Sequence, residues 1–295
     1  MAATIVIPES FADMMRWSSE GTQWLDGLPG LVKDQCDRWD LRICGQPAHG
    51  SNAIVFPVSC GMDKFALRLT RPGPEVADEI RTLMFWDGHG TVRLFDADAP
   101  RGATLLEWLS SRESLNDVPV SEAMAQLGRM MRHLAVPGAD FAPATGAVAA
   151  SRAEGLEREW DLLGQPFDPA VIAEAMHVSQ SLSAARSNLA VNGDLHSENV
   201  LRAEREDWLT VDPCLLHGDI EYDLGNVLWT RLDEMPSAAD IVRCFDIVVT
   251  EAKLERDRAR NWAVFRAVDY WLWGLSHGLT EDPPRCARLF AALMT

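Results

Sequence analysis

Asp194 is followed five residues later by Asn199, and Asn199 directly by the apolar pair Val200 and Leu201. A polar turn at 204–207 leads into a second apolar run, 208–211, which ends on Asp212. Two short strands joined by that turn bring Asp194, Asn199 and Asp212 to one end of a hairpin. There one carboxylate can take the proton of a hydroxyl while an amide and a second carboxylate hold magnesium. Phosphoryl transfer asks for this division of labour, because its chemistry is mostly positioning and charge neutralisation. Either acid alone reads as an ordinary surface carboxylate. The three together argue for chemistry.

A chain of 295 residues buries about three-quarters of its unfolded surface, enough for a large core or two lobes. Hydrophobic residues at 47% and charged ones at 24% are ordinary for a globular protein. The net charge of −17 argues against nucleic acid as a partner and suits a cationic one, or serves solubility alone. Cysteines 36, 44, 60, 214, 244 and 286 form no C-x-x-C pair, so reduced, buried thiols in a cytoplasmic protein are expected. No basic, then apolar leader opens the chain, and no apolar run approaches the ~20 residues of a membrane span, so no membrane is expected.

Taken in order, residues 1–40 read as helical. Ser10 is expected to cap a short helix carrying Phe11, Met14 and Met15, and Pro29 to lie near the start of a second with Leu28, Val32, Cys36 and Trp39. Strands follow at 53–58 and 64–69, joined to the helices through a loop at 45–52. Gly45 and Gly50 have the separation of a Walker loop, but Ser51-Asn52 stands where lysine and a hydroxyl residue are required. A kinase-type loop with Gly50 and Ser51 at its tip fits better. Pro74-Glu75 opens a helix with Val76, Ile80 and Leu83 on one face, closed by Trp86-Asp87-Gly88 before a strand at 92–94. An apolar strand at 104–109 precedes a mostly helical remainder. In it Ser121 is expected as a cap, 137–150 as a long flexible connection, and Asp168-Pro169 as a helix start. Asp219 reads as a cap or else as approaching substrate, and Asp223 as a buried cap that also braces the Asp194 loop. Trp262, Phe265, Val268, Leu272 and Leu275 form a core face. Gly274-Leu-Ser276-His277-Gly278 matches a hydrolase elbow, but a helical pattern precedes it and no histidine follows, so it is set aside.

Several of these runs together resemble the aminoglycoside/hydroxyurea phosphotransferases, the branch containing streptomycin 6-phosphotransferases. They are Glu20-Gly21 with Trp24-Leu25 and Leu28-Pro29, Trp86-Asp87-Gly88 with Gly90 and Val92-Arg93-Leu94, Asn192-Gly193-Asp194, Val211-Asp212-Pro213, and Gly218-Asp219 with Tyr222-Asp223-Leu224. The resemblance covers nearly the whole chain. It implies an α+β, two-lobed protein-kinase-like fold. A small antiparallel-sheet lobe would span 1–107, with a helical extension to about 40, and a larger, mainly helical lobe 108–295. It makes Asp194 the catalytic base and Asn199 and Asp212 the magnesium ligands. Gly50, Ser51, Arg68, Glu79 and Glu107 would bind ATP. Arg68 occupies the place of the family's phosphate-binding lysine, with Glu79 as its helix partner, and Asn192 replaces a loop histidine. The implied reaction is phosphorylation of a small hydroxylated, cationic acceptor such as streptomycin, conferring antibiotic resistance. Hydroxyurea is the runner-up, and a nucleotide-binding pseudokinase the alternative from another class. A cytoplasmic monomer or weak dimer is expected.

Overall fold

The structure, a computed structural model, describes residues 5–110, 112–184 and 186–295. The chain divides into two compact units, Met1–Ser111 with Ala203–Arg205, and Arg112–Arg202 with Glu206–Thr295.

The first unit opens with α1 (Glu9–Met15) and α2 (Ser19–Arg38). Neither starts as expected. Ser10 lies inside the first turn of α1, behind Pro8, and gives its hydroxyl to His49. Ser18 caps α2 through the Gly21 N–H, and the helix runs straight through Pro29. A mid-helix proline removes a backbone hydrogen bond and costs about 3 kcal/mol. The buried stripe Leu25, Leu28 and Val32, packed in one core with Ile54, Phe56 and Leu67, holds the helix continuous against that cost. An antiparallel sheet follows: β1 (Arg42–Ile43), β2 (Ala48–His49), β3 (Ala53–Cys60), β4 (Asp63–Thr70), then α3 (Pro74–Trp86), β5 (Leu94–Asp98) and β6 (Ala103–Glu107). The strand order is β1-β3-β4-β6-β5, with β2 also on β3. Asp87, in the left-handed region, ends α3, and β5 begins at Leu94, two residues later than expected.

The second unit holds α4 (Val120–Leu134), α5 (Thr145–Leu162), α6 (Pro169–Leu182), β7 (Leu189–Val191), β8 (Val200–Arg202), β9 (Trp208–Thr210), β10 (Leu216–Gly218), α7 (Leu224–Trp229), α8 (Ala238–Ala252), α9 (Arg256–Ser276) and α10 (Asp282–Leu293). Pro119, not Ser121, precedes α4. The stretch expected as a long connection is half helix, since α5 begins at Thr145. Its remainder is tied down by bridges from Pro137 to Leu189 and from Ala144 to His217. Asp168 caps α6 through the Ala170 N–H. None of the six cysteines is in a disulfide, and only Cys244 and Cys286 are buried, so the expectation of uniformly buried thiols fails.

Candidate active site

β7 and β10 pair antiparallel, with Val191 opposite Leu216, and the chain then turns sharply through Asn192 and Gly193. Gly193 takes φ 78°, and a Cβ there would lie 2.6 Å from the Cys214 carbonyl oxygen, so both the turn and the close approach require glycine. Asn192 is buried. Its Oδ1 accepts the Asp194 N–H (3.1 Å) and its Nδ2 donates to Thr210 Oγ1 (3.3 Å). The acceptor end of the amide holds the loop's own turn, and the donor end ties it to β9.

β8 and β9 form the expected hairpin, Val200 opposite Thr210, and Val211 N–H donates to the Asn199 carbonyl (2.8 Å). Asn199 and Asp212 therefore flank the open end. Asn199 Nδ2 reaches the Asp194 carbonyl (3.3 Å) and Asp194 Oδ2 (3.4 Å). Burial pushes the Asp194 carboxyl above its ordinary value. The neighbouring His196 opposes this, and the charge of Asp212 adds to it. Asp194, Asn199 and Asp212 are thus brought together. His196 Nε2 lies 3.9 Å from Asp194 Oδ2, outside hydrogen-bond reach, and its Nδ1 is buried with no partner.

Two acids behind the Asp194 loop depart from expectation. Asp223 precedes α7 but makes no side-chain cap. Its Oδ1 accepts the Gly193 N–H (2.9 Å), and full burial pushes its carboxyl up to about 7. It braces the loop. Asp219 neither caps nor faces open solvent: it is buried, ion-paired to Arg258 and accepting from Arg186 N–H and Trp262 Nε1. Two residues escape the sequence reading. Asn226 on α7 donates from Nδ2 to Asp194 Oδ1 (2.8 Å), and Arg266 on α9 donates to Asn226 Oδ1 (2.8 Å). A lone asparagine inside the apolar run Leu224–Trp229 was the visible signal.

In the first unit Gly50 and Ser51 sit at the β2–β3 turn, where Gly50 N–H donates to the Ala53 carbonyl (3.0 Å). Arg68 on β4 is buried and paired with Glu79 on α3 through both carboxylate oxygens (2.7 and 2.6 Å). Glu107 closes β6 opposite Phe65, with its carboxylate held by Arg205 (3.2 and 2.9 Å) and by the Arg93 N–H. The serine of the rejected hydrolase motif, Ser276, lies at the end of α9 and donates to the Trp273 carbonyl.

Among the described residues no cluster of three His, Cys, Asp or Glu side chains could hold a metal unaided. Magnesium is ordinarily held by one or two carboxylates together with waters and substrate phosphates. Asn199 turns its amide nitrogen to Asp194, which leaves its side-chain oxygen as an acceptor, and the bond from Val211 N–H to the Asn199 carbonyl brings Asp212 to the same end of the hairpin. Two hard oxygen donors of this kind fit a cation that arrives with a nucleotide. No helix among the described residues is long and apolar enough to cross a membrane.

The family described as aminoglycoside/hydroxyurea antibiotic resistance kinase matches residues 38–278. The streptomycin 6-kinase of Streptomyces glaucescens is 32% identical over 298 residues, 98% of this chain and 97% of that protein. The hydroxyurea phosphotransferase of Kitasatospora aureofaciens is 31% identical over 97% of this chain and 85% of its own. Among solved structures, aminoglycoside phosphotransferase APH(4)-Ia superposes with a TM-score of 0.63 at 17% identity, covering 90% of this chain and 97% of that one. The fold is protein-kinase-like, with an antiparallel sheet in one unit and helices dominating the other. Sequence and fold agree, and the chain belongs to the aminoglycoside/hydroxyurea antibiotic resistance kinases.

Proposed function

We propose that this kinase transfers the γ-phosphoryl group of ATP to a hydroxyl of streptomycin or a closely similar cationic aminoglycoside, and so confers resistance. The acceptor class rests on the streptomycin 6-kinase relative, alike along almost its whole length. The observation that carries the chemistry is the convergence of Asp194, Asn199 and Asp212 at the open end of one hairpin. In this reading Asp194 Oδ2 takes the acceptor's hydroxyl proton as the new O–P bond forms, while the bond from Pγ to the bridging oxygen breaks and ADP leaves. Asn199 and Asp212 would hold magnesium, which would supply positive charge to the phosphates. Asn192, Gly193 and Asp223 keep the Asp194 loop in shape.

The first unit then serves as the nucleotide lobe and the second as the catalytic lobe. Backbone at Gly50 and Ser51 approaches the phosphates, and Arg68, oriented by Glu79, supplies a fixed positive charge to them. β6 lines the base through backbone at Glu107, whose carboxylate is already engaged by Arg205. We place the reaction in the cytoplasm, where ATP is available, in a monomer or weak dimer.

The 31% identity to a hydroxyurea phosphotransferase supports hydroxyurea as the second reading. An ATP-consumption assay over streptomycin, other aminoglycosides, hydroxyurea and simple alcohols separates them. Magnesium-dependent turnover with streptomycin as the best acceptor is expected. Turnover with hydroxyurea alone would replace the first reading by the second, and ATP consumption with neither would overturn both.

A further inference from the structure

Asp194 receives unlike partners at its two oxygens. Oδ1 accepts a hydrogen bond from Asn226 at 2.8 Å, whereas Oδ2 accepts, among the described residues, only the long Asn199 bond at 3.4 Å, with His196 Nε2 standing off at 3.9 Å. Asn226 is itself oriented, because its Oδ1 accepts from Arg266 Nη2 at 2.8 Å. A guanidinium only donates, so it holds the amide oxygen toward itself and the NH₂ toward Asp194. Arg266 is fixed in turn, lying 4.2 Å over the Tyr222 ring and 5.4 Å from that of Trp229, with Asp269 at 3.7 Å. Trp229 stacks on Tyr270 (4.5 Å, 4° between planes), which closes the far side. The approach of α7 to α9 depends on Gly225, where a Cβ would meet Arg266 Cβ at 2.8 Å.

We propose that Arg266 and Asn226 are positioning residues for phosphoryl transfer: Arg266 sets the Asn226 amide, and Asn226 occupies Asp194 Oδ1 so that Oδ2 faces the acceptor hydroxyl. This rests on Asp194 being the base. Charge on a half-buried guanidinium reaches the carboxylate through one amide, and the carboxylate cannot swing without breaking a chain of two hydrogen bonds.

Asn226→Asp and Asn226→Ala distinguish positioning from packing. Asn226→Asp keeps the size and a partner for Arg266 but sets a carboxylate against Asp194; Asn226→Ala loses the partner. A packing role makes Asn226→Asp the milder change, and a positioning role makes it the more severe in kcat. The expected result is a kcat loss on the order of ten- to a hundredfold in Asn226→Ala, as for a reacting group displaced by about 1 Å, and a larger loss in Asn226→Asp. The KM for ATP should stay within about twofold. A folded Asn226→Asp with kcat near wild type, or milder than Asn226→Ala, overturns the proposal. Should Asn226→Asp fail to fold, Arg266→Met takes its place: a kcat loss matching Asn226→Ala is expected, and wild-type kcat overturns the proposal. Asp194→Asn is run alongside. Activity surviving there would sink the base assignment itself, whereas its loss with an active Asn226→Asp would sink only the positioning role.

Discussion

At the residue scale, Asp212 combines a proposed cation-facing carboxylate with a backbone in the left-handed region, φ 55°. Asparagine tolerates that conformation and β-branched residues do not, so charge and strain can be separated. Asp212→Asn should fold normally yet lose most of the magnesium dependence of nucleotide binding, as read by calorimetric titration of ATP with and without the metal. Asp212→Val should add a loss of about 1–3 kcal/mol in stability, read from urea midpoints. Asp223 gives a pH signature. Its carboxyl is raised to about 7 from an ordinary 3.8 by full burial, so the folded state favours the neutral form. Its contribution to stability is complete below about pH 4 and is lost as pH rises through about 7. Relative to wild type, Asp223→Asn should therefore flatten the fall in urea midpoint between pH 5 and pH 7, and parallel curves for the two proteins would contradict this. The trio Asp194, Asn199 and Asp212 was legible because hairpin pairing is local and its register follows from alternation and turn composition. Asn226 and Arg266 were not, because an asparagine forty residues from its arginine meets it only through the packing of α7 on α9.

At the scale of elements, the Arg68–Glu79 pair ties α3 to β4. Its side chains are 8% and 14% exposed, so breaking it takes the close carboxylate from a charge with little access to water. Glu79→Ala should lower stability by about 3–5 kcal/mol, a larger effect than loss of an exposed ion pair of the same length, and urea unfolding measures it. Gly225→Ala should cost about 1–3 kcal/mol by overpacking, since the added methyl meets both Arg266 Cβ and the Trp229 ring. Its kcat should fall with its stability, because α7 carries Asn226. Most strand and helix identities were readable from periodicity, though not β2 inside the expected 45–52 loop nor the start of α5 inside the expected connection, and the ends of elements were not. Ser10 and Ser121 have capping chemistry but sit two residues too deep, behind Pro8 and Pro119, whose fixed φ starts the helix without a side-chain bond. Pro29 shows the opposite error: a local breaker is overridden by a stripe of buried leucine and valine that no window around the proline weighs.

For the molecule as a whole, the −17 charge predicts a salt-sensitive acceptor. If several carboxylates draw in a polycation, the acceptor KM should rise steeply from 0.1 to 1 M salt, as the Debye length shrinks from about 10 to about 3 Å. A flat KM would discard the cationic acceptor and leave the kinase intact. Composition could not say which acids are available: Asp219 is buried against Arg258, and Asp282 is engaged by Arg285 and Tyr270. The thiols have a consequence of a different kind. Cys44 in the first unit and Cys214 in the second are exposed, whereas Cys36 and Cys60 are half-buried and Cys244 and Cys286 buried, with burial pushing the Cys36, Cys244 and Cys286 thiols up. Alkylation follows the exposed thiolate. Limited maleimide is therefore expected to mark each unit once, at Cys44 and at Cys214, which gives the wild-type enzyme one optical handle per unit without any engineered cysteine.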